Sequence, residues 1–514
     1  MKKLSKFMAL ALACSMIAGC GNTAKEAPEQ TQETEQEPVQ ETSDATEDAA
    51  GQEQQEPEES TGETVNIKWY VNTSADNPDK PKVEEAINEY IEPLIGVTVS
   101  MITAKEEPEI ALALASGEDI DLYWTASWAN GNNYIRENSC LDLTDYLQDY
   151  PELYNSIPEN IWNAAQKGGR NYFVPVYKEA ATGYGLVYPV AAAEEFGWDM
   201  EQVKEFADLE PMLKEAYDNG ATNALLPQGA MWEIYAMDDF ALAGTSNMGK
   251  ILGIRISEGE TVENLVKSSE FEEFVSLMYR WNQAGYINPE RVDGEHLSFD
   301  DIGKNMTEKD TVFATWTSVP DNIANASLRY GVSVGTVLDT KNYLSTDGTF
   351  GSAYMINAKT EKADACLKFL GLLSTDQTLA DLFCYGLEGE HYTRDADGYV
   401  TINPDGGWRN SVWASCNVMA PSLQAGESAD KKEQYDTFNK NAETSILANF
   451  EFDKSQVEAE CAAVDAVFQE YFELLSAGFY NPEEYLPKFQ KALEDAGIDK
   501  IIAQMQEQYD AYRS

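Results

Sequence analysis

Ten tryptophans stand in this 514-residue chain, several of them close to asparagine, lysine or glutamate. Trp124 closes a short run of strand formers that begins at Ile120, and Trp128 and Asn130 follow it directly. Trp316 ends a second such run, from Val312, and Tyr184 lies in a third, Gly183 to Tyr188. Trp232 sits in a Gly-Ala-Met-Trp loop, and Trp413 in a stretch rich in Gly, Asn and Ser that interrupts helical patterning. Asn72 and the pair Lys178-Glu179 add donors and acceptors at the ends of further strand-like runs. Flat rings cover C–H surfaces, and paired donors and acceptors hold hydroxyls. These ten residues are therefore candidates for binding a polar solute.

Turnover finds less support. The 89 carboxylates supply acid pairs at any spacing, so an acid–base dyad cannot be read from their abundance. His391 lies beside Glu388 and Glu390, which reads as a structural or exposed histidine rather than a base. No nucleophile elbow, zinc-protease helix, phosphate loop or calcium loop is present. We assign no catalytic residue, no metal ligand and no cofactor. A secreted glycoside hydrolase, a peptide receptor and a surface adhesin stay open as alternatives.

The elements that must position these residues follow from periodicity. Val65 to Val71 alternates as a strand, Pro81 to Ile95 carries a helical stripe (Val83, Ile87, Tyr90, Ile91, Leu94), and Val97 to Ile102 is again a strand. Ile110 to Ser116 and Ile120 to Trp124 complete a β-α-β-α-β order, the grammar of an α/β domain. Ligands in such sheets sit beyond the carboxyl ends of the strands, here near Asn72 and 125–130. Residues 191–283 and everything after Ser455 read as mainly helical, the latter with Val457, Cys461, Val464, Val467, Phe468, Tyr471 and Leu475 on one stripe.

The first twenty residues say where such a protein works. Lys2, Lys3 and Lys6 precede an apolar run, Phe7 to Ala18, too short to span a bilayer, which reads as a signal peptide over 1–19. Ile17-Ala18-Gly19-Cys20 resembles the lipobox of bacterial lipoproteins, which implies that Cys20 becomes a lipidated N-terminus and membrane anchor. From Gly21 to Glu63, fourteen acids face Lys25 alone, with almost no large apolar side chain. Together with Cys20, this 20–63 segment reads as an acidic, disordered tether. The formal charge of −53 disfavours nucleic acid as a partner. Five scattered cysteines beyond Cys20, without a Cys-x-x-Cys pair, read chiefly as buried thiols, one or two disulfides being the other reading.

Four stretches are similar to the extracellular solute-binding proteins of bacterial ABC importers, in the branch that binds maltose and other oligosaccharides. Leu114-Ala115-Ser116-Gly117-Glu118-Asp119-Ile120-Asp121-Leu122 resembles a family run, with Ile120 where proline is usual. Gly169 to Tyr188 resembles a crossover, with Pro189 in place of asparagine. Val312 to Pro320 and Ser352 to Phe369 resemble later crossing strands. Tyr385 to Tyr392 and the tail Pro482 to Ile501 resemble a lipoprotein subset that ends in a helical module.

The resemblance implies a two-lobe, type II periplasmic-binding-protein-like α/β fold with hinge strands and extra C-terminal helices. Lobe 1 is expected from 64–178 and 311–350, and lobe 2 from 179–310 and 351–514, including a helical module from about 405. A small polar solute, most simply an oligosaccharide, is expected in the interlobe cleft. The expected partners are the permease subunits of the importer and the lipid of the outer membrane face, the protein acting as a monomer on the extracellular side.

Overall fold

A computed structural model of the chain describes residues 63–72, 77–103, 107–227, 229–243, 247–288 and 297–514. The expected signal peptide, Cys20 and the tether up to Gly62 lie outside these residues. All described residues belong to one unit, Pro57–Ser514. Within it two large hydrophobic cores form, each around its own sheet.

The first sheet runs, in spatial order, Val97–Thr103, Val65–Val71, Leu122–Thr125, Ala353–Ile356 and Val174–Pro175. Its first three strands are parallel, and Ala353–Ile356 lies antiparallel to both neighbours. Trp69, opposite Met101 and Leu122, is sealed under Phe369 and Phe383 with ring centroids 4.9 and 4.4 Å away. The helix Lys80–Ile95 buries Val83, Ile87 and Ile91 on this core, starts with proline in its first turn, and stops at left-handed Gly96. Ala363–Thr375 and Gln377–Tyr385 cover it as well.

The second sheet runs Val334–Val337, Tyr184–Pro189, Phe313–Thr317, Leu225–Leu226. Its core is extended by the helix Ser269–Gln283 and by the C-terminal helices Glu458–Ser476, Pro482–Ala496 and Ile498–Arg513. Phe271 meets Phe472 at 5.9 Å, so the last helices complete this core.

These partners correct the allotment read from sequence. Residues 313–337 pair in the second sheet, not the first lobe, and 353–420 build the first core, not the second. The C-terminal segment that belongs to the second core begins near 446 rather than 405. The physical reason is that an apolar strand has the same residue pattern whichever sheet takes it; only the free edge it meets decides.

The chain passes between the cores three times, at Ala181–Thr182, Tyr343–Leu344 and Glu443–Thr444, and these pieces pair as a three-stranded ribbon with Tyr343–Leu344 in the middle. Of the crossings expected by resemblance, Gly169 to Tyr188 contains the first passage, whereas the strands of Val312 to Pro320 and Ser352 to Phe369 lie in the flanking sheets. At Gly183 a side chain would run into the Asn342 amide and the Lys341 carbonyl, so only glycine lets the first two passages approach. Asn439, fully buried on the helix Lys431–Lys440, clamps the ribbon. Its amide oxygen accepts from Ala180 N–H at 2.9 Å, and its NH₂ donates to the Lys178 carbonyl at 2.6 Å.

Removing that clamp strands two backbone groups away from water, each worth about 1–3 kcal/mol. Asn439→Ala should therefore lose about 2–4 kcal/mol of stability in chemical denaturation. A loss below about 0.5 kcal/mol, the scale of a surface change, would show that Asn439 does not hold the passage.

Candidate functional site

Three indoles form a row on the first lobe. Trp124, at the end of its strand, is nearly buried; Trp128 lies 5.5 Å from it and is 64 % exposed. Trp413 follows 6.5 Å beyond Trp128 and is 42 % exposed. The row is fixed through its polar edges. Trp124 Nε1–H donates to Ser352 Oγ and Trp128 Nε1–H to the Gly351 carbonyl, both at 2.8 Å. The Ser127 amide donates to the Phe350 carbonyl at 2.8 Å. The helix Gly131–Arg136 begins just after this loop, and a side chain at Gly131 would strike the Phe350 ring and the Ala126 carbonyl. Two large ring faces are thus presented to solvent on a rigid mount, which suits them to stack against C–H surfaces.

Polar groups continue from the row. Lys178 Nζ lies 3.7 Å from the point where a Cβ on Gly351 would stand, and it pairs with Glu179 Oε1 at 3.1 Å. Both residues precede the first passage, beside the clamp of Asn439. On the other side of that helix a cavity of about 540 Å³ opens, within the size range of small-molecule sites. Asp430, just before the helix, and Glu433, Gln434 and Thr437 on it form one wall, and Ser318 to Asn322, Asp339, Thr340 and Asn342 the other. Burial holds the Asp339 carboxyl above its ordinary range, against a hydrogen bond from Thr336.

The remaining predicted residues fall elsewhere. Trp232 is 1 % exposed, packs on Phe271 at 5.0 Å and gives its indole N–H to the Lys250 carbonyl at 2.9 Å; it is core, and its reading as a cleft residue is corrected. Trp316 is 6 % exposed, lies against Tyr330 at 5.6 Å and donates to Asn322 Oδ1 at 2.6 Å. It carries no open face and instead braces Asn322, a cavity residue. Tyr184 is half-buried, and burial, with the nearby Glu233 charge, pushes its hydroxyl up to about 12. Asn72 follows its strand half-buried, and Asn130 accepts from Asn133 before the helix it precedes. Neither is joined by a described contact to the row.

Sequence reasoning did not single out the acidic helix. Positions 430, 433, 434 and 437 share one helical face, but such a polar stripe reads as solvated surface until the opposite wall is known.

His391 has a different task. It is fully buried; the Leu387 N–H donates to Nδ1 at 2.8 Å, so in the neutral ring Nε2 carries the proton and donates to Asp79 Oδ2 at 3.2 Å. Asp79 and Glu390 both pair with Lys82. Asp79, Glu390 and His391 converge as metal ligands would, yet the Lys82 ammonium already pairs with both carboxylates. The cluster ties the helix Lys80–Ile95 to the loop at 387–391.

The chain is similar to proteins of solute transport. Residues 446–514 match a domain of unknown function, DUF3502, which begins just past the third passage. A "Carbohydrate ABC transporter substrate-binding protein" of Streptococcus pneumoniae is 23% identical over 427 residues, 79% of this chain and 82% of that protein. Among solved structures, the N-glycan transport solute binding protein (NgtS) of the same species aligns with TM-score 0.73 and 18% identity over 87% of this chain and 99% of that one. Its complexes with Man1GlcNAc and Man5GlcNAc, each 19% identical over 87% of this chain and 99% and 98% of theirs, align at 0.62 and 0.59. The fold is that of solute-binding proteins.

The Asp79 carboxyl is held below its ordinary 3.8, first by the His391 hydrogen bond and then by Lys82. A depressed carboxyl stabilises the fold at pH values above its unfolded value and loses that contribution as pH falls through the folded one. Asp79→Asn should therefore be less stable than the wild type at neutral pH, with the gap narrowing below 3.8 in an acid-denaturation series. A gap independent of pH would refute the linkage.

Proposed function

We propose that this chain is the substrate-binding component of an ABC importer, and that it captures an oligosaccharide by closing its two lobes and hands it unaltered to membrane permease subunits. The observation that carries this reading is the Trp124–Trp128–Trp413 row, two of whose indoles face solvent while Trp124 and Trp128 hang by their N–H groups on 351–352, seven residues past the second passage. A sugar offers C–H faces to such rings and hydroxyls to Lys178, Glu179 and the polar cavity walls. The carbohydrate-transport relative and the sugar complexes of the structural neighbour support the same class.

Asp321, Asp339, Asp430 and Glu433 line the cavity, so a neutral or amino-bearing sugar fits it better than one bearing carboxylates. On the sequence side, Ile17-Ala18-Gly19-Cys20 supports export and lipid anchoring at Cys20, with the acidic segment as spacer. A hydrolase would alter the sugar; the transport reading requires that a bound oligosaccharide be recovered intact.

The test is a thermal-shift screen of neutral, amino and acidic oligosaccharides, followed by titration calorimetry on the best binder. Trp128→Ala should cost about 1–2 kcal/mol, roughly 5- to 30-fold in affinity. Small-angle scattering should show a smaller radius of gyration with sugar present. An unchanged affinity in Trp128→Ala would remove the platform from the site, and no binding across the screen would sink the sugar assignment.

A further inference from the structure

Beneath Trp413 lies a pair of side chains that the binding site does not use. Cys384 ends the helix Gln377–Tyr385, and Cys416 follows the short helical turn Val412–Ser415 that carries Trp413. Both are buried, and their sulfurs stand 3.3 Å apart. The backbones around them are fastened to each other independently of the sulfurs. The Asn410 amide donates to the Cys384 carbonyl at 2.9 Å, and the Ser422 amide to Asp381 Oδ1 at 2.7 Å. Tyr354 Oη donates to the Ser415 carbonyl at 2.8 Å. The other three described cysteines, Cys140, Cys366 and Cys461, form no sulfur–sulfur contact of this kind.

We propose that Cys384 and Cys416 close into an intramolecular disulfide when the chain folds in an oxidising compartment, and that this bond fixes the segment bearing Trp413. The inference rests on the export reading only for the source of oxidant; the pairing itself is independent of the solute. Bonded sulfurs lie about 2.05 Å apart, so closing the bond takes a rotation of the two side chains that brings sulfurs already in contact closer together. The oxidant is a disulfide, RSSR, of a small thiol or of an exchange enzyme. One protein thiolate attacks a sulfur of RSSR, forming a mixed disulfide and releasing RS⁻. The second thiolate then attacks the protein sulfur of that bond and expels the other RS⁻. Two protein thiols lose two protons and two electrons, and RSSR becomes two RSH.

The order of events follows from burial. Attack requires a thiolate, and burial in the finished fold pushes the Cys384 thiol well above its ordinary value. The bond therefore forms while the 410–422 segment is still docking, not after the site is sealed. Once formed it closes a loop across residues 384–416 and restricts the unfolded chain. Its reach is specific, because Trp413 lies three residues before Cys416.

The experiment uses the full chain, reduced and unfolded, then refolded in a mixture of oxidised and reduced glutathione until its near-ultraviolet tryptophan signal returns. The product is acid-quenched, denatured, alkylated without reduction, digested and weighed. The expected result is one linked peptide pair containing Cys384 and Cys416, abolished by prior reductant, with two fewer alkylatable thiols than in the reduced chain. In Cys384→Ser, Cys416 should be recovered fully alkylated. Recovery of both cysteines as separate alkylated peptides from the refolded wild type would overturn the proposal, as would a bond from either one to a different cysteine.

Discussion

Everything that this fold can do depends on how little polypeptide joins its halves. Three passages of two paired residues each make up the ribbon between the cores, so any relative motion must be absorbed by a few φ/ψ angles. Backbone groups in so short a ribbon cannot all satisfy one another. Asn439 supplies the missing partners for the first passage, and Gly183 lets the second passage lie close. The consequence is a narrow joint whose first passage is held from the side by the buried Asn439 amide.

The candidate site is mounted directly on that joint. Gly351 and Ser352, which hold the indoles of Trp128 and Trp124, follow the middle passage, while Lys178 and Glu179 precede the first. The acidic wall of the cavity belongs to the helix that carries Asn439. Aromatic row, polar pair and cavity therefore share one mechanical origin, and a solute touching more than one of them would bias the same joint. The C-terminal helices enter differently. Their Phe468, Phe472 and Phe489 lie in the second core with Phe271 and Phe274, which makes them part of that lobe's framework rather than an appendage.

How much of this could be read beforehand varies with the kind of information required. The stripe Val83, Ile87, Ile91 and the alternation through Trp69 gave correct elements, because solvent exclusion imposes period 3.6 or 2 on each segment locally. Trp128 was a candidate from its place just past a strand end, and Trp413 from a stretch rich in Gly, Asn and Ser. Trp232 and Trp316 had equally suggestive neighbours, yet Phe271, Tyr330 and Phe299 arrive from distant segments to cover them. The face of 430, 433, 434 and 437 looked like ordinary solvated charge because its counterpart lies at 318–342.

By itself, then, the order of residues determined which segments become strands and helices, which rings could stack, the strongly acidic balance and the leader-like start. Those properties depend on neighbours a few positions away. Only the tertiary structure decided that 313–337 joins the second sheet, that 353–420 returns to the first core, and that Trp128 faces outward while Trp232 does not. The reason is that edge pairing and burial are contests among segments far apart in the chain, and the winner is set by which surfaces meet in space.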